Sequence, residues 1–243
     1  MHKDYFGGAF KTMVCIGDSI TAGGSAASRE LCWVNRLGKL ISEFQENRLN
    51  VINCGIGANV LVDGGSAYEN AVKPAGKERI GRDVVKYDPD LVTLAFGTND
   101  MRGGTAVSRF IEDLEYVISM LKSKTSALIV VLSTYFIVDF GKSTDAWGKA
   151  NLQLFKGCNR EISSCCQRYN ILYADVFSAM GEAPWVVDRD NIHPNNLGHI
   201  LIANKVFEVI ATNCSAFSIK AFKDVEKAAN WRDESSLMRM DNL

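Results

Sequence analysis

Short, continuous apolar runs recur along the chain, and helical patterns fill the spaces between them. The runs are Met13-Val14-Cys15-Ile16, Asn50-Val51-Ile52-Asn53-Cys54, 91–96, 128–132 and a shorter one at 171–174. The first three are each followed by glycine, at Gly17, Gly55 and Gly97. A strand wetted on one face alternates apolar and polar residues, whereas a continuous run suits a strand covered on both faces. Such strands need helices on both sides. The clearest helical pattern puts Val107, Phe110, Ile111, Leu114, Val117, Ile118 and Leu121 on one face. Others cover about 28–46, 76–87, 145–169 and 196–213. This alternation predicts an α/β fold, a three-layer α/β/α sandwich around a central parallel sheet of about five strands.

Composition removes several functional classes. Hydrophobic residues make up 47% and charged residues 23% of the 243, the balance of a globular chain rather than a disordered or collagen-like one. The net charge is −1, so nothing general draws the chain to nucleic acid or to an anionic membrane. Residues 1–10 do not read as a signal peptide. The longest apolar stretch, 127–138, is interrupted by Ser133 and Thr134 and is too short to span a bilayer. The seven cysteines include no Cys-x-x-Cys pair. Cys158, Cys165 and Cys166 fall on a helical pattern with Ile162 and read as small core residues. A reducing, cytoplasmic setting is expected. Residues 1–214 are expected to form the functional domain. Residues 215–243, rich in charge, read as a C-terminal helical extension or tail, with Phe222, Val225, Ala229 and Trp231 as a candidate docking stripe.

In α/β sheets ligands bind beyond the C-terminal ends of the strands. Four segments with reactive side chains end a strand or follow the last one. They are Gly17-Asp18-Ser19-Ile20, Asn53-Cys54-Gly55-Ile56-Gly57-Ala58-Asn59, Gly97-Thr98-Asn99-Asp100 and Asp190-Asn191-Ile192-His193-Pro194. Each alone has a plain structural reading, as a helix cap, a turn or a structural histidine. Acyl transfer needs a nucleophile, a base, an orienting acid and donors for an oxyanion. Ser19, at a helix start, supplies the hydroxyl. His2 lies at the terminus and His199 inside a helical pattern, which leaves His193 as the best general base. Asp188 and Asp190 both lie close enough to orient it. The Gly-x-Ser-x-Gly elbow, the Walker A loop, Gly-x-Gly-x-x-Gly and His-Glu-x-x-His are all absent, so no metal or organic cofactor is implied. Gly23-Gly24-Ser25 and Gly64-Gly65-Ser66 lack a phosphate-loop lysine and read as turns or substrate-side loops. Trp33 reads as core; Tyr135, Trp147 and Trp185 read as packing or as walls of a site.

Together and in this order, the segments resemble the SGNH hydrolases, the GDSL-type esterase and lipase superfamily. Gly17-Asp18-Ser19 matches its nucleophile motif, Gly97-Thr98-Asn99-Asp100 its Gly-x-Asn-Asp block and Asp190-Asn191-Ile192-His193-Pro194 its Asp-x-x-His-Pro block. The resemblance covers about 13–210. It implies a flavodoxin-like sheet, with Ser19 as nucleophile, His193 as base and Asp190, rather than Asp188, as orienting acid. It also implies an oxyanion hole from the Ser19 N–H, the Asn99 amide and a backbone N–H of the second block. Where the family has Gly-Ile-Gly-Gly, this chain has Gly55-Ile56-Gly57-Ala58, so the third donor falls on Ala58, with Gly57 as the alternative if the loop is shifted by one. The implied activity is that of a cofactor-free serine esterase. Gly-Ile-Gly-Ala-Asn is similar to the Gly-Ile-Gly-Gly-Asn of carbohydrate acetylesterases, so the expected partner is a small-molecule or carbohydrate ester with a short, acetyl group. An O-acyltransferase to a sugar hydroxyl, or a lipase or thioesterase-type acyl hydrolase, is the alternative.

Overall fold

Strands β1 (Thr12–Gly17), β2 (Asn50–Gly55), β3 (Leu91–Ala95), β4 (Leu128–Leu132) and β5 (Leu172–Ala174) lie parallel in the order β2-β1-β3-β4-β5. They are seen in a computed structural model whose described residues are 3–141 and 146–228. Met13 pairs with Val51 on one side and Leu91 on the other, and Leu91 pairs with Leu128. Strands β3 and β4 are buried along their whole length, as is β1 beyond Thr12, which fits their unbroken apolar runs. Strand β2 departs from that expectation. It is half-buried beyond an exposed Asn50, because it is an edge strand with a neighbour on one side only.

The helices are α1 (Ser19–Ala22), α2 (Trp33–Glu43), α3 (Gly65–Asn70), α4 (Gly76–Asp83), α5 (Thr98–Arg102), α6 (Val107–Lys124), α7 (Leu152–Tyr169), α8 (Val176–Ala179), α9 (Asn196–Asn213) and α10 (Ser218–Ala228). Helices α2 and α9 pack together on one side of the sheet, and α6 packs against α4 and α7 on the other. The layering follows from handedness. The chain leaves β1 for β2 in one direction and then crosses to β3, β4 and β5 in the other; right-handed crossovers therefore place α2 on one face and α4, α6 and α7 on the opposite one. This is the expected three-layer α/β/α sandwich.

Element boundaries differ from the periodic patterns where local chemistry intervenes. The pattern over 28–46 is broken by extended backbone at Cys32, so α2 starts at Trp33. The pattern from 145 becomes helix only at Leu152, where the Asn151 side chain accepts from the Leu154 N–H at 2.9 Å; residue 145 lies outside the described residues. The glycine-rich run at 64–66 and the Gly-Thr-Asn-Asp run, both legible as turns, open the short helices α3 and α5. Trp33, Cys158, Cys165 and Cys166 are core, as expected. On α10, Ile219 and Phe222 are exposed; the Val225 side chain, Ala229 and Trp231 lie outside the described residues. Among the described residues no single helix is long and apolar enough to cross a membrane.

The strand order reverses between β1 and β3, which opens a crevice at their C-terminal ends. Close approach builds its floor. A Cβ at Gly55 would lie 2.1 Å from the Ala22 nitrogen, so α1 can rest on the end of β2 only because residue 55 is glycine. Beneath lies Arg79 of α4, 1% exposed. Its guanidinium donates to the carbonyls of Gly17 (2.9 Å) and Cys54 (2.7 Å), to Asp83 Oδ2 (3.0 Å) and to Asn59 Oδ1 (3.0 and 3.2 Å). Arg79→Leu is expected to lower the unfolding free energy by about 3–5 kcal/mol, because it strands buried acceptors and a carboxylate. Urea denaturation checks this. Arg79→Lys should recover only part, since one ammonium cannot reproduce the planar fork.

Candidate active site

Ser19 is the first residue of α1. The Asp18 side chain caps this helix, accepting from the Ile20 N–H at 2.9 Å. Asp18 is fully buried, and burial pushes its carboxyl up to about 6. The helix ends after one turn because Gly23 takes a left-handed conformation (φ 106°). The Gly24 N–H then folds back onto the Ser19 carbonyl at 2.8 Å.

The loop before α9 carries the imidazole. Val187 and Pro194 form an antiparallel bridge across it, and the Asp188 N–H donates to the His193 carbonyl at 2.8 Å. Asn195 closes the loop by capping α9 through the Leu197 and Gly198 N–H groups. Inside it, Asp190 Oδ1 accepts from the Ile192 (2.9 Å) and His193 (3.0 Å) N–H groups. Its Oδ2 lies 2.5 Å from His193 Nδ1, and His193 Nε2 lies 2.8 Å from Ser19 Oγ. One tautomer serves both contacts: Nδ1–H donates to the carboxylate and Nε2 accepts from the hydroxyl. Partial burial works to raise the Asp190 carboxyl; the His193 bond and the two amides outweigh it and hold the group below the usual carboxylate range. Asp188 turns elsewhere, accepting from the Arg189 N–H at 2.8 Å and pairing with the Ser25 side chain. Of the two candidate carboxylates, Asp190 is the one at the imidazole.

The loop after β2 forms the facing wall. Ala58 sits at φ 52°, in the left-handed region that costs a residue with a Cβ. The buried Asn59 side chain donates to the carbonyls of Val72 (2.6 Å) and Pro74 (2.9 Å) while Arg79 donates to its Oδ1. Asp100 ties the next turn to β3, accepting from the N–H groups of Leu61 (3.0 Å), Val62 (3.1 Å) and Gly97 (3.2 Å). Burial pushes the Asp100 carboxyl up to about 6, against the pull of those amides. Asn99 Nδ2 donates to the Asn59 carbonyl at 3.1 Å, which leaves its second N–H for another acceptor. The backbone N–H groups of Ser19, Gly57 and Ala58 donate to no acceptor among the described residues. Such a set can move a proton from hydroxyl to imidazole and can receive negative charge on unspent donors.

The structure thus brings Ser19, His193 and Asp190 into one hydrogen-bonded line, and links Asn99 to the loop that carries Ala58. Sequence reasoning named Asn59 and Gly24 only as parts of a loop and a glycine-rich turn, read His199 as helical and did not single out Arg79; the contacts that give them roles join distant segments. Of the aromatic candidates, Tyr135 is buried, Trp147 packs beside Val60 and Ala67, and Trp185 is 73% exposed, its carbonyl accepting from Asn195 Nδ2 at 2.8 Å. Among the described residues no three His, Cys, Asp or Glu side chains are grouped to hold a metal ion.

Residues 15–201 match the model of the GDSL-like Lipase/Acylhydrolase family. No curated protein matches the chain. Solved structures share its fold. A lipase/acylhydrolase from Enterococcus faecalis is 20% identical with a TM-score of 0.65, over 82% of this chain and 94% of that one. An acetylxylan esterase from Geobacillus stearothermophilus is 20% identical with a TM-score of 0.63, over 85% of this chain and 96% of that one. An alpha/beta hydrolase enzyme from the metagenome of Lake Arreo, Spain, is 22% identical with a TM-score of 0.65, over 86% of this chain and 98% of that one.

Ala58→Gly should relieve the left-handed strain and, after the larger entropy of the unfolded glycine chain, leave a gain of about 0.5–1 kcal/mol. Equilibrium denaturation measures it; a loss of stability would contradict the conformation described for this loop.

Proposed function

The chain belongs to the GDSL-like lipase/acylhydrolase family, and on that premise we propose that it is a serine esterase acting through Ser19, His193 and Asp190. The observation that carries the reading is the unbroken line from Ser19 Oγ through His193 (2.8 Å) to Asp190 (2.5 Å). Ser19 Oγ attacks the ester carbonyl carbon as its proton passes to His193 Nε2. Asp190 fixes the tautomer and stabilises the imidazolium. The oxyanion takes hydrogen bonds from the Ser19 N–H, the Ala58 N–H and the second N–H of Asn99. The tetrahedral intermediate collapses, the alcohol leaves with the proton from His193, and an acyl-serine remains. Water, deprotonated by the same imidazole, releases the acid and restores Ser19.

The substrate is proposed to be a short, acetyl ester, carried by a carbohydrate. Three observations support this. The Gly55-to-Asn59 run is similar to that of carbohydrate acetylesterases, and an acetylxylan esterase shares the fold. Trp185 is exposed, with its backbone carbonyl tied to Asn195 at the cap of α9, and its indole suits stacking on a sugar face. A reducing, cytoplasmic setting belongs to the same reading, supported by cysteines that are free thiols, all but Cys54 buried.

A p-nitrophenyl ester series of increasing chain length, followed by acetylated xylo-oligosaccharides, tests the proposal. Acetate should be the best of the series. Ser19→Ala should abolish turnover and block labelling by a serine-reactive phosphonate while the protein stays folded; full activity in that variant would remove the mechanism. Asp190→Asn should lower kcat by about 10²–10⁴, as in other triads, and Asp188→Asn far less. Asn99→Ala should cost about 10²–10³ in kcat. An acylated sugar formed when an acceptor is added would instead identify a transferase.

A further inference from the structure

His199 lies on α9 a little beyond His193 and is fully buried. Both its ring nitrogens are engaged. Nδ1 lies 3.2 Å from the Trp33 N–H, and Nε2 lies 3.0 Å from the Gly24 carbonyl. A backbone N–H can only donate and a carbonyl can only accept, so the ring is the neutral tautomer with its proton on Nε2. Burial favours that neutral form too, holding the imidazole below the ordinary histidine range against the raising effect of the Gly24 bond, with Arg36 and His193 adding to the lowering.

Gly24 gives this bond its interest. Its N–H is tied to the Ser19 carbonyl at 2.8 Å, and its carbonyl to His199. A Cβ on residue 24 would stand 2.8 Å from His193 Cδ2, 3.2 Å from His193 Nε2 and 3.0 Å from the Ser19 carbonyl. The Gly24 segment therefore lies directly against both the imidazole and the serine. These two groups come from opposite ends of the chain, 174 residues apart. Besides their own contact, the two segments are joined by the Asp188–Ser25 side-chain pair, the exposed Ala27 N–H bond to Asn196 Oδ1 (2.9 Å) and the buried His199–Gly24 bond.

We propose that His199 is a positioning residue, which through its Nε2–H bond to the Gly24 carbonyl seats the wall that holds the His193 imidazole in line with Ser19 Oγ. The proposal rests on the reading of Ser19 and His193 as nucleophile and base.

Two substitutions separate this role from simple stabilisation. In His199→Gln the amide nitrogen falls near the Nε2 position and keeps the donation to Gly24. In His199→Asn the amide oxygen falls near Nδ1 and keeps the acceptance from Trp33. Each loses one buried hydrogen bond, and His199→Leu loses both. With thermal melts confirming folding, kcat on p-nitrophenyl acetate should stay within about three-fold in His199→Gln, and should fall about 100-fold in His199→Asn and His199→Leu with little change in KM, the scale of a misplaced catalytic group. Gly24→Ala, with His199 intact, should give the same kcat loss. The low-field proton of the His193–Asp190 hydrogen bond, observed by NMR, reads the seat without turnover. It should be sharp in wild type and His199→Gln and shifted or broadened in His199→Asn. Equal kcat in the folded Gln and Asn variants, or an unchanged proton in every variant, would overturn the proposal. Absence of any ester hydrolysis by wild type would sink the esterase reading instead, while the proton resonance would still decide the role of His199.

Discussion

The guanidinium of Arg79 occupies the place where β1 and β2 run out. Strands that end at a crevice leave carbonyls without a ladder partner, and buried carbonyls need a donor. Arg79 supplies one to Cys54 and a second one to Gly17, whose carbonyl also accepts from the Ile56 N–H at 3.1 Å, and the same group grips Asn59 in the loop beyond. Asp100 completes the arrangement from the other side, accepting the amides of Leu61 and Val62 together with that of Gly97. One buried cation and one buried anion therefore fix the course of a loop that has little secondary structure of its own. The strained Ala58 persists inside this frame because its neighbours on the C-terminal side are held so firmly.

Charges around the crevice respond to pH in opposite senses. Burial raises Asp18 and Asp100 to about 6, above the unfolded values of aspartate, so the folded protein holds their protons more tightly. Their contribution to stability is full below the unfolded pKa and is lost as pH rises through about 6. Asp190 is lowered, so its contribution is present above the unfolded value and is lost as pH falls through the folded one. Near neutrality the two buried carboxylates are thus a burden, which the amides around them reduce without cancelling, while Asp190 adds to stability and stays ionised beside His193.

Much of this was legible beforehand, for physical reasons that differ between elements. The runs at 13–16, 91–96 and 128–132 announced buried strands because both of their faces are covered. The run at 50–54 looked alike, yet β2 is an edge, and nothing in a continuous apolar run reports how many neighbours a strand has. Ser19, Asn99, Asp190 and His193 were visible because short motifs hold them at fixed spacing around strand ends. His199 reads as helical, but a histidine in a helical pattern carries no mark of what faces it. Arg79 carries no such mark for the same reason, and the Gly23-Gly24-Ser25 run reads as a turn or substrate-side loop without showing the distant groups it packs against.

The bond between Ser19 and His193 also has a meaning for how the protein is made. Ser19 follows β1, an interior strand of the sheet, and His193 precedes α9, late in the fold. A nascent chain emerging from a ribosome can pair β1 with β2 and β3 and assemble the serine turn and the Asn59 loop long before the imidazole exists. Synthesis must pass His193, and α9 must dock on α2, before the hydroxyl meets the imidazole. The line from Ser19 to Asp190 is closed only when the segment before α9 has been made and docked, so a shorter chain can hold the serine turn without the imidazole.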